Sequence, residues 1–236
     1  MKCLIIIIGE SFRLGGQGTR IRGTDASYEE QIKACNSHIN FIEMLNKNYN
    51  MKSISVYIST YTTIYNEDLL KIYNKYLIGC KIYDDLIGLN QLFHNSINSI
   101  HIKNQYNFIL YLRIDLFLYK HFYNIFKPNW NTIRFPSICW FQHSKVENHP
   151  RVNDMLLFIP KKYYKYLTNI NICHETWYQL VENTQLKYDD LDTMINTYHD
   201  SDSAKDYNPL YYIVNRGKME KWHSEGYIFD KLTYIK

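Results

Sequence analysis

The sequence predicts an α/β fold, with a mainly parallel sheet flanked by helices in the first half and a mixed α+β second half. Solid apolar runs at 3–8 and 108–112 and a further strand pattern at 54–58 alternate with helical patterns, which is typical of strand, helix, strand order in a parallel sheet. After Pro128, short strand patterns lie between loops rich in His, Asn and Pro. The 236 residues are 46% hydrophobic and 21% charged, as expected for one globular domain.

The first strand is predicted at 3–8, where an unbroken apolar run suits a central strand covered on both faces. A capping box at 27–30 predicts the start of a long helix that ends near 46–50. The other elements predicted in this half are a strand at 54–58, a helix at 68–77, a short strand at 80–83, a helix at 86–102 and a strand at 108–112.

The second half is predicted to contain strands at 132–135, 138–141 and 155–159 and helical stretches at 161–167, 175–181 and 189–198. No Gly/Ser-rich or Pro-rich linker separates it from the first half. We therefore treat 1–236 as a single domain with two parts, 1–127 and 128–236.

Charge, cysteine and hydropathy patterns exclude several classes of protein. A net charge of +4, with Lys and acidic residues interspersed, is too small to capture a nucleic-acid backbone, so no nucleic-acid partner is expected. The five cysteines form no CxxC, which favours reduced intracellular thiols. The apolar run at 3–8 is shorter than a signal-peptide core, and no stretch approaches a membrane span. These patterns predict a cytoplasmic protein without a membrane span.

The loop after the first strand suits a phosphate-bearing ligand. It begins with Gly9 and Glu10, and its glycines let the backbone approach a ligand closely. Arg13, Arg20 and Arg22 follow, and guanidinium groups bind a diphosphate through paired hydrogen bonds. An ordinary flexible loop is the alternative interpretation.

Several known motifs are missing from the sequence. The loop has no G-x-x-x-x-G-K-[ST], and no G-x-G-x-x-G opens the following helix, which argues against P-loop enzymes and dinucleotide oxidoreductases. The missing glycine motif also argues against an S-adenosylmethionine methyltransferase, although less strongly than against a dinucleotide oxidoreductase. The sequence also lacks H-E-x-x-H and G-x-S-x-G, so zinc hydrolases and α/β-hydrolases have no support.

A second group of polar residues, Arg113 and Asp115, follows the apolar run at 108–112. A carboxylate at the end of a central strand is costly to bury unless it is paired or bound to a metal. One interpretation is an internal ion pair between Arg113 and Asp115. The other is that Asp115 binds Mg²⁺ or Mn²⁺ through the phosphates of a ligand, since these cations prefer oxygen ligands.

Asp154 is the predicted general base. It directly precedes the strand pattern at 155–159 and follows a polar loop at 143–151 that could close over a ligand. An aspartate there could take the proton from an attacking hydroxyl group. A turn or cap aspartate is the alternative, and Glu175 and Asp192 are weaker candidates for the base.

This arrangement resembles the GT-A fold of nucleotide-sugar glycosyltransferases. In that family a D-x-D element at the end of the fourth strand holds the metal and the diphosphate, and here only its second carboxylate, Asp115, is matched. Together with Tyr28-x-x-Gln31, His38 and the motif at 208–211, the pattern also resembles sugar transferases encoded by large DNA viruses. The excess of Tyr, Ile, Asn and Lys, which have A/T-rich codons, is compatible with that source.

The resemblance implies a glycosyltransferase that moves a sugar from a nucleoside-diphosphate sugar, first of all a UDP-sugar, to a glycan or protein acceptor. It implies Mn²⁺ or Mg²⁺ as cofactor and, for a viral protein, the host cytoplasm as its location. On this hypothesis 1–127 binds the donor at Gly9, Glu10, Arg13, Arg20, Arg22 and Arg113, and 128–236 binds the acceptor. Two alternatives stay open, a non-catalytic module that binds a phosphate-bearing or glycan ligand and an S-adenosylmethionine-dependent methyltransferase.

Overall fold

The computed structural model describes the residues 1–14, 21–100, 103–136, 138–140, 152–173, 175–194, 198–200 and 211–213. Arg20, the polar loop at 143–151 and most of the 208–211 motif lie outside the described residues. None of the described helices has the length and apolar character needed to cross a bilayer.

The described residues form strands and helices in a mixed order along the chain. The strands are β1 (Lys2–Gly9), β2 (Arg13–Leu14), β3 (Ile21–Arg22), β4 (Ser53–Tyr61), β5 (Leu77–Tyr83), β6 (Phe108–Arg113), β7 (Leu116–Leu118), β8 (Ile133–Phe135), β9 (Ile138–Trp140), β10 (Leu156–Pro160), β11 (Leu191–Thr193), β12 (Tyr198–Asp200) and β13 (Tyr211–Ile213). The α-helices are α1 (Asp25–Tyr49), α2 (Asn66–Tyr73), α3 (Leu89–Ser99), α4 (Lys120–Ile125) and α5 (Trp177–Thr184), and short 3₁₀ helices lie at Lys103–Gln105, Lys161–Tyr166 and Tyr188–Asp190.

A seven-stranded sheet in the order β11-β8-β10-β6-β1-β4-β5 forms the centre of the fold. The strands β6, β1, β4 and β5 are parallel, and β8 is parallel to β11. Only β10, within this sheet, runs opposite to its neighbours β6 and β8. The predicted fold class, α/β with a mainly parallel sheet flanked by helices, is confirmed, and strands from both 1–127 and 128–236 join the one sheet.

Two apolar cores cover the two faces of this sheet. Along β1, Cys3, Ile5 and Ile7 face the core formed with α1 and α2. The alternate residues, Leu4 and Ile6 among them, face the core formed with α3 and α5. Because both faces of β1 are buried, its sequence is continuously apolar rather than alternating.

The topology creates a switch point between β1 and β6. From β1 the chain moves to β4 and β5 on one side, and it then returns to β6 on the other side of β1. The register pairs Ile8 of β1 with Arg113 of β6, so both strands end at the same edge. In open α/β sheets, ligands bind outside the carboxyl ends of the strands at such a point. The two polar segments singled out in the sequence therefore meet where a ligand site is expected.

Some predicted local details are wrong. The capping box at 27–30 is not formed, because Thr24 is extended and the helix already begins at Asp25. The Ser27 hydroxyl instead donates to the Thr24 carbonyl at 2.9 Å. The helix predicted at 189–198 is replaced by a 3₁₀ turn and β11, since Leu191–Thr193 completes the sheet beside β8.

Other differences concern boundaries and missed elements. The second helix ends at Tyr73, four residues before the predicted limit, because Leu77 already belongs to β5. The helix predicted at 86–102 covers only Leu89–Ser99. The short elements β7 and α4 were not predicted from the sequence.

Gly9 allows β1 and the end of β6 to approach each other. Its φ is +130°, and a Cβ added there would lie 3.3 Å from Ile114 Cγ2. We expect Gly9→Ala to lower the free energy of unfolding by about 2–3 kcal/mol, since backbone strain and a close contact add together. Urea denaturation monitored by circular dichroism measures this loss.

Gly88 provides the matched control. Its φ is +81°, but a Cβ there would meet nothing within 4 Å. Gly88→Ala should therefore show only the backbone cost, about 1 kcal/mol. Equal losses in the two variants would contradict a role for the contact between Gly9 and Ile114.

Candidate functional site

Five charged side chains form a chain of ion pairs at the carboxyl ends of β1 and β6. We call Glu10, Arg13, Asp115, Arg113 and Asp154, in this order, the switch-point cluster. Arg13 donates to Glu10 at 3.2 Å and to Asp115 at 3.3 Å. Arg113 donates to Asp115 at 2.9 and 2.7 Å and to Asp154 at 3.4 Å. All five had been predicted as site residues, and the structure brings them together.

Asp115 is the centre of this cluster. It is 3% exposed and accepts two hydrogen bonds from Arg113, in the fork geometry typical of arginine and carboxylate. Asp115 lies in the turn between β6 and β7, and this turn brings its carboxylate against the guanidinium of Arg113. The internal ion pair, one of the two interpretations of this segment, is therefore present.

Arg113 stays charged in this environment. Burial by itself lowers the pKa of its guanidinium, but Asp115 and Asp154 raise it, and the balance leaves the pKa well above its ordinary value. The Arg113 side chain is 15% exposed, whereas the Asp115 side chain is 4% exposed. The guanidinium therefore presents the more open part of the pair.

A tight turn after β1 directs Arg13 back toward Asp115. Phe12 adopts a positive φ of 50°, and its ring stacks on Tyr28 with the centroids 5.6 Å apart. The Phe12 carbonyl accepts a hydrogen bond from the Gly23 amide at 2.8 Å. At the start of the turn, the Thr60 hydroxyl donates to the Gly9 carbonyl at 2.8 Å. These contacts fix the backbone that leads into Arg13.

Side chains of α1 hold the backbone on both sides of Asp115. Gln31 Nε2 donates to the Ile114 carbonyl at 2.7 Å, and His38 Nε2 donates to the Leu116 carbonyl at 2.5 Å. Gln31 Oε1 also accepts from the Phe12 amide at 3.2 Å. One helix thus positions both segments that carry the cluster.

Sequence reasoning assigned no role to this support. In the sequence, Gln31 and His38 are noted only as part of the pattern that resembles viral sugar transferases. Their spacing of seven residues nevertheless places them on one face of a helix. Large polar side chains on the buried face of the helix are the signal that could have found them, since buried polar groups require partners.

His38 is held neutral. Burial lowers its pKa to about 4, against smaller raising effects of the Leu116 carbonyl and Asp115. Because the Leu116 carbonyl can only accept, Nε2 carries the proton, and Nδ1 accepts from the Tyr73 hydroxyl at 2.7 Å. The imidazole is therefore a structural donor rather than a proton-transfer group.

Three further site candidates in the described part of the chain, Arg22, Glu175 and Asp192, lie outside the switch-point cluster. The Arg22 guanidinium lies 5.4 Å from the Tyr61 ring centroid and donates to the Asp84 carbonyl at 3.4 Å. Glu175 accepts from two asparagine amides, and Asp192 pairs with Arg134 at 2.9 Å. The contacts of Glu175 and Asp192 are those of residues that stabilise the second half of the chain.

The donor set around Asp115 does not fit a divalent cation held by the protein. Both oxygens of Asp115 accept from guanidinium groups, and Arg13 and Arg113 also hold Glu10 and Asp154. Across the described part of the chain, no three His, Cys, Asp or Glu side chains are grouped so that they could hold a metal ion.

No protein-family model and no curated protein sequence matches this chain. Among solved structures, the chain is similar to a Drosophila β-1,4-galactosyltransferase 7 complex with manganese, UDP-Gal and xylobiose. The identity is 10%, the TM-score is 0.44, and the match covers 84% of this chain and 66% of that one.

Two bacterial structures are also similar in backbone fold. A Mycobacterium tuberculosis glucosyl-3-phosphoglycerate synthase, in complex with Mn²⁺, UDP and phosphoglyceric acid, is 6% identical with a TM-score of 0.45, covering 94% of this chain and 73% of that one. The glycosyltransferase GlyE of Streptococcus pneumoniae is 15% identical with a TM-score of 0.39, and the match covers 81% of this chain and 45% of that one.

A viral source and a cytoplasmic location stay predictions.

The cluster yields a stability prediction for Asp115. Asp115→Asn leaves the buried Arg13 and the partly buried Arg113 without their shared carboxylate, so we expect the free energy of unfolding to fall by about 3–5 kcal/mol. Asp154→Asn is the matched control, because the Asp154 side chain is 29% exposed and, among the described residues, contacts one guanidinium, at 3.4 Å. Its expected loss is about 0–1 kcal/mol. Chemical denaturation of both variants makes the comparison, and equal losses would contradict a central role for Asp115.

His38 should make stability depend on pH. Its pKa is about 4 in the folded chain and about 6.5 when unfolded, so between these values only the unfolded state binds the proton. Stability from this group is therefore complete above pH 6.5 and is lost as the pH falls toward 4, by about 3 kcal/mol in total. Urea denaturation at several pH values measures the slope.

The variant His38→Gln separates this effect from the carboxylates that also titrate in this range. The variant should show a shallower fall in the free energy of unfolding between pH 6.5 and 4 than the unaltered chain, whatever its stability at pH 7. Identical slopes would show that His38 does not titrate as its burial requires.

Proposed function

We propose that this chain is a glycosyltransferase that moves a sugar from a nucleoside-diphosphate sugar to a hydroxyl group of an acceptor. The observation that carries the proposal is the position of two guanidiniums, the buried Arg13 and the partly buried Arg113, at the switch point of the sheet. Ligands bind at this edge in open α/β sheets, and paired arginines favour a diphosphate. The resemblance of the motifs to nucleotide-sugar transferases supports the same conclusion.

Arg113 is suited to contact the diphosphate. Three of its five N–H groups donate to Asp115 and Asp154, which leaves one on each terminal nitrogen. When the bond between the sugar and the diphosphate breaks, the departing nucleoside diphosphate gains negative charge. A fixed guanidinium stabilises that charge without having to reorient during the reaction.

Asp154 is suited to act on the acceptor. Its side chain is 29% exposed, and its carbonyl is fixed by the Tyr111 hydroxyl at 2.9 Å. In an inverting transfer the acceptor oxygen would attack the anomeric carbon while Asp154 takes the hydroxyl proton. The new glycosidic bond forms as the bond to the diphosphate breaks, and the electron pair leaves with the nucleoside diphosphate.

The two parts of the chain would then have different roles, donor binding for 1–127 and action on the acceptor for 128–236. The part at 1–127 supplies Glu10, Arg13, Arg113 and Asp115, and the part at 128–236 supplies Asp154 through the segment that leads into β10. A UDP-sugar is the first donor to test, and a glycan or protein hydroxyl is the proposed acceptor. Mn²⁺ and Mg²⁺ enter as test conditions.

A thermal-shift panel tests this function. UDP, GDP, CMP, TDP and their sugars are added separately, each with EDTA or with Mn²⁺, and S-adenosylmethionine is added alone. One nucleotide and its sugar should raise the melting temperature, because a ligand that binds only the folded state stabilises it by RT ln(1 + [L]/Kd). Stabilisation by S-adenosylmethionine alone would contradict the proposal and favour a methyltransferase.

Asp154→Asn distinguishes an enzyme from a binding module. The variant should keep the thermal shift but lose transfer activity by about 10²–10⁴-fold, measured as release of nucleoside diphosphate in the presence of acceptor. A chain that binds nucleotide but shows no turnover in either form would instead be a non-catalytic module.

A further inference from the structure

We infer that this chain binds a diphosphate through arginine, in the place where related folds use a divalent metal ion. The inference rests on the proposed function for the identity of the ligand, a nucleoside diphosphate. It concerns Arg113 and Arg13, whose guanidiniums share the carboxylate of Asp115.

The first argument is the geometry around Asp115. Its two oxygens accept guanidinium hydrogen bonds of 2.7, 2.9 and 3.3 Å. A Mg²⁺ ion bound to either oxygen would lie about 2.1 Å from it and therefore close to one or both guanidiniums. Like charges at such separations repel strongly where water is excluded. A cation could bind Asp115 only after the arginines had moved away.

The second argument is the charge that the sequence places at this position. The related D-x-D element has a carboxylate where this chain has Arg113. The exchange replaces one negative charge by one positive charge directly beside the proposed diphosphate site. A divalent ion normally neutralises the phosphates at this point, and here a guanidinium that stays charged is already present.

The third argument is that the carboxylates of the cluster hold the arginine side chains in place. Glu10 holds Arg13, Asp154 holds Arg113, and Asp115 holds both. The planar guanidinium groups of Arg13 and Arg113 are therefore fixed before a ligand arrives, which lowers the entropy cost of binding. The Arg113 side chain remains 15% exposed, against 4% for Asp115, so it is the more accessible member of this ion pair.

Calorimetric titration with pyrophosphate and with UDP, GDP and CDP tests the inference. Each titration is carried out once in EDTA and once in Mn²⁺. We expect at least one nucleoside diphosphate and pyrophosphate to bind in EDTA, with dissociation constants within about threefold of those in Mn²⁺. Binding that requires Mn²⁺ would overturn the inference and leave the proposed function intact.

The remaining outcomes separate the two proposals. Pyrophosphate binding in EDTA without binding of any nucleotide would support the arginine site and contradict the proposed function. If no probe binds under either condition, both are contradicted.

Variants identify the residue responsible. Arg113→Lys keeps the positive charge but loses the planar guanidinium that can donate paired hydrogen bonds. We expect the affinity for pyrophosphate in EDTA to fall about tenfold. The double variant Arg113→Gln with Asp115→Asn removes both charges together, so that no unpaired buried ion prevents folding, and it should lose affinity by about tenfold or more.

The matched control is Arg134→Gln. Arg134 also forms a partly buried ion pair, with Asp192, but it lies on β8 away from the switch-point cluster. This variant should keep the pyrophosphate affinity of the unaltered chain. Unchanged affinity in the double variant, or equal losses in the double variant and in Arg134→Gln, would overturn the assignment to Arg113.

Discussion

The buried carboxylate of Asp115 is the constraint on which the rest of the site depends. Burying an ionised group is costly, and here two guanidiniums offset that cost. Arg13 must return from the turn after β1, and Arg113 must end β6, for both to reach Asp115. The turn after β1 and the segment after β6 are therefore held in one arrangement, which α1 reinforces through Gln31 and His38.

The same constraint connects fold and chemistry. The parallel strands β1 and β6 end side by side because the chain crosses over at this point of the sheet. Charged groups placed there are partly withdrawn from water, so they attract a charged ligand more strongly than surface arginines would. The antiparallel strand β10 brings Asp154 to the same edge from the other half of the chain. The groups proposed to bind the sugar donor and to act on the acceptor thus meet along one edge of a continuous sheet.

Much of this arrangement could be predicted from local sequence. The apolar runs of β1 and β6 identify strands buried on both faces, and polar residues directly after these strands identify the edge at which a ligand is expected. The ion pair between Arg113 and Asp115 is one of the two interpretations that the sequence offers for this segment, although Asp115 lies in the turn after β6 rather than on the strand.

The rest depends on contacts between distant segments. No local pattern shows that Leu191–Thr193 joins β8 as a strand, because that choice is made by pairing within the sheet. The contact of Arg113 with Asp154 requires β10 to lie between β6 and β8. The roles of Gln31 and His38 are set by backbone carbonyls more than 70 residues away, at Ile114 and Leu116.

A crystal structure of the chain with pyrophosphate in EDTA tests the central claim most directly. The account predicts that the pyrophosphate lies outside the carboxyl ends of β1 and β6, with its oxygens within hydrogen-bond distance of the terminal nitrogens of Arg113. Pyrophosphate bound elsewhere on the chain, with no oxygen near Arg113 or Arg13, would contradict it.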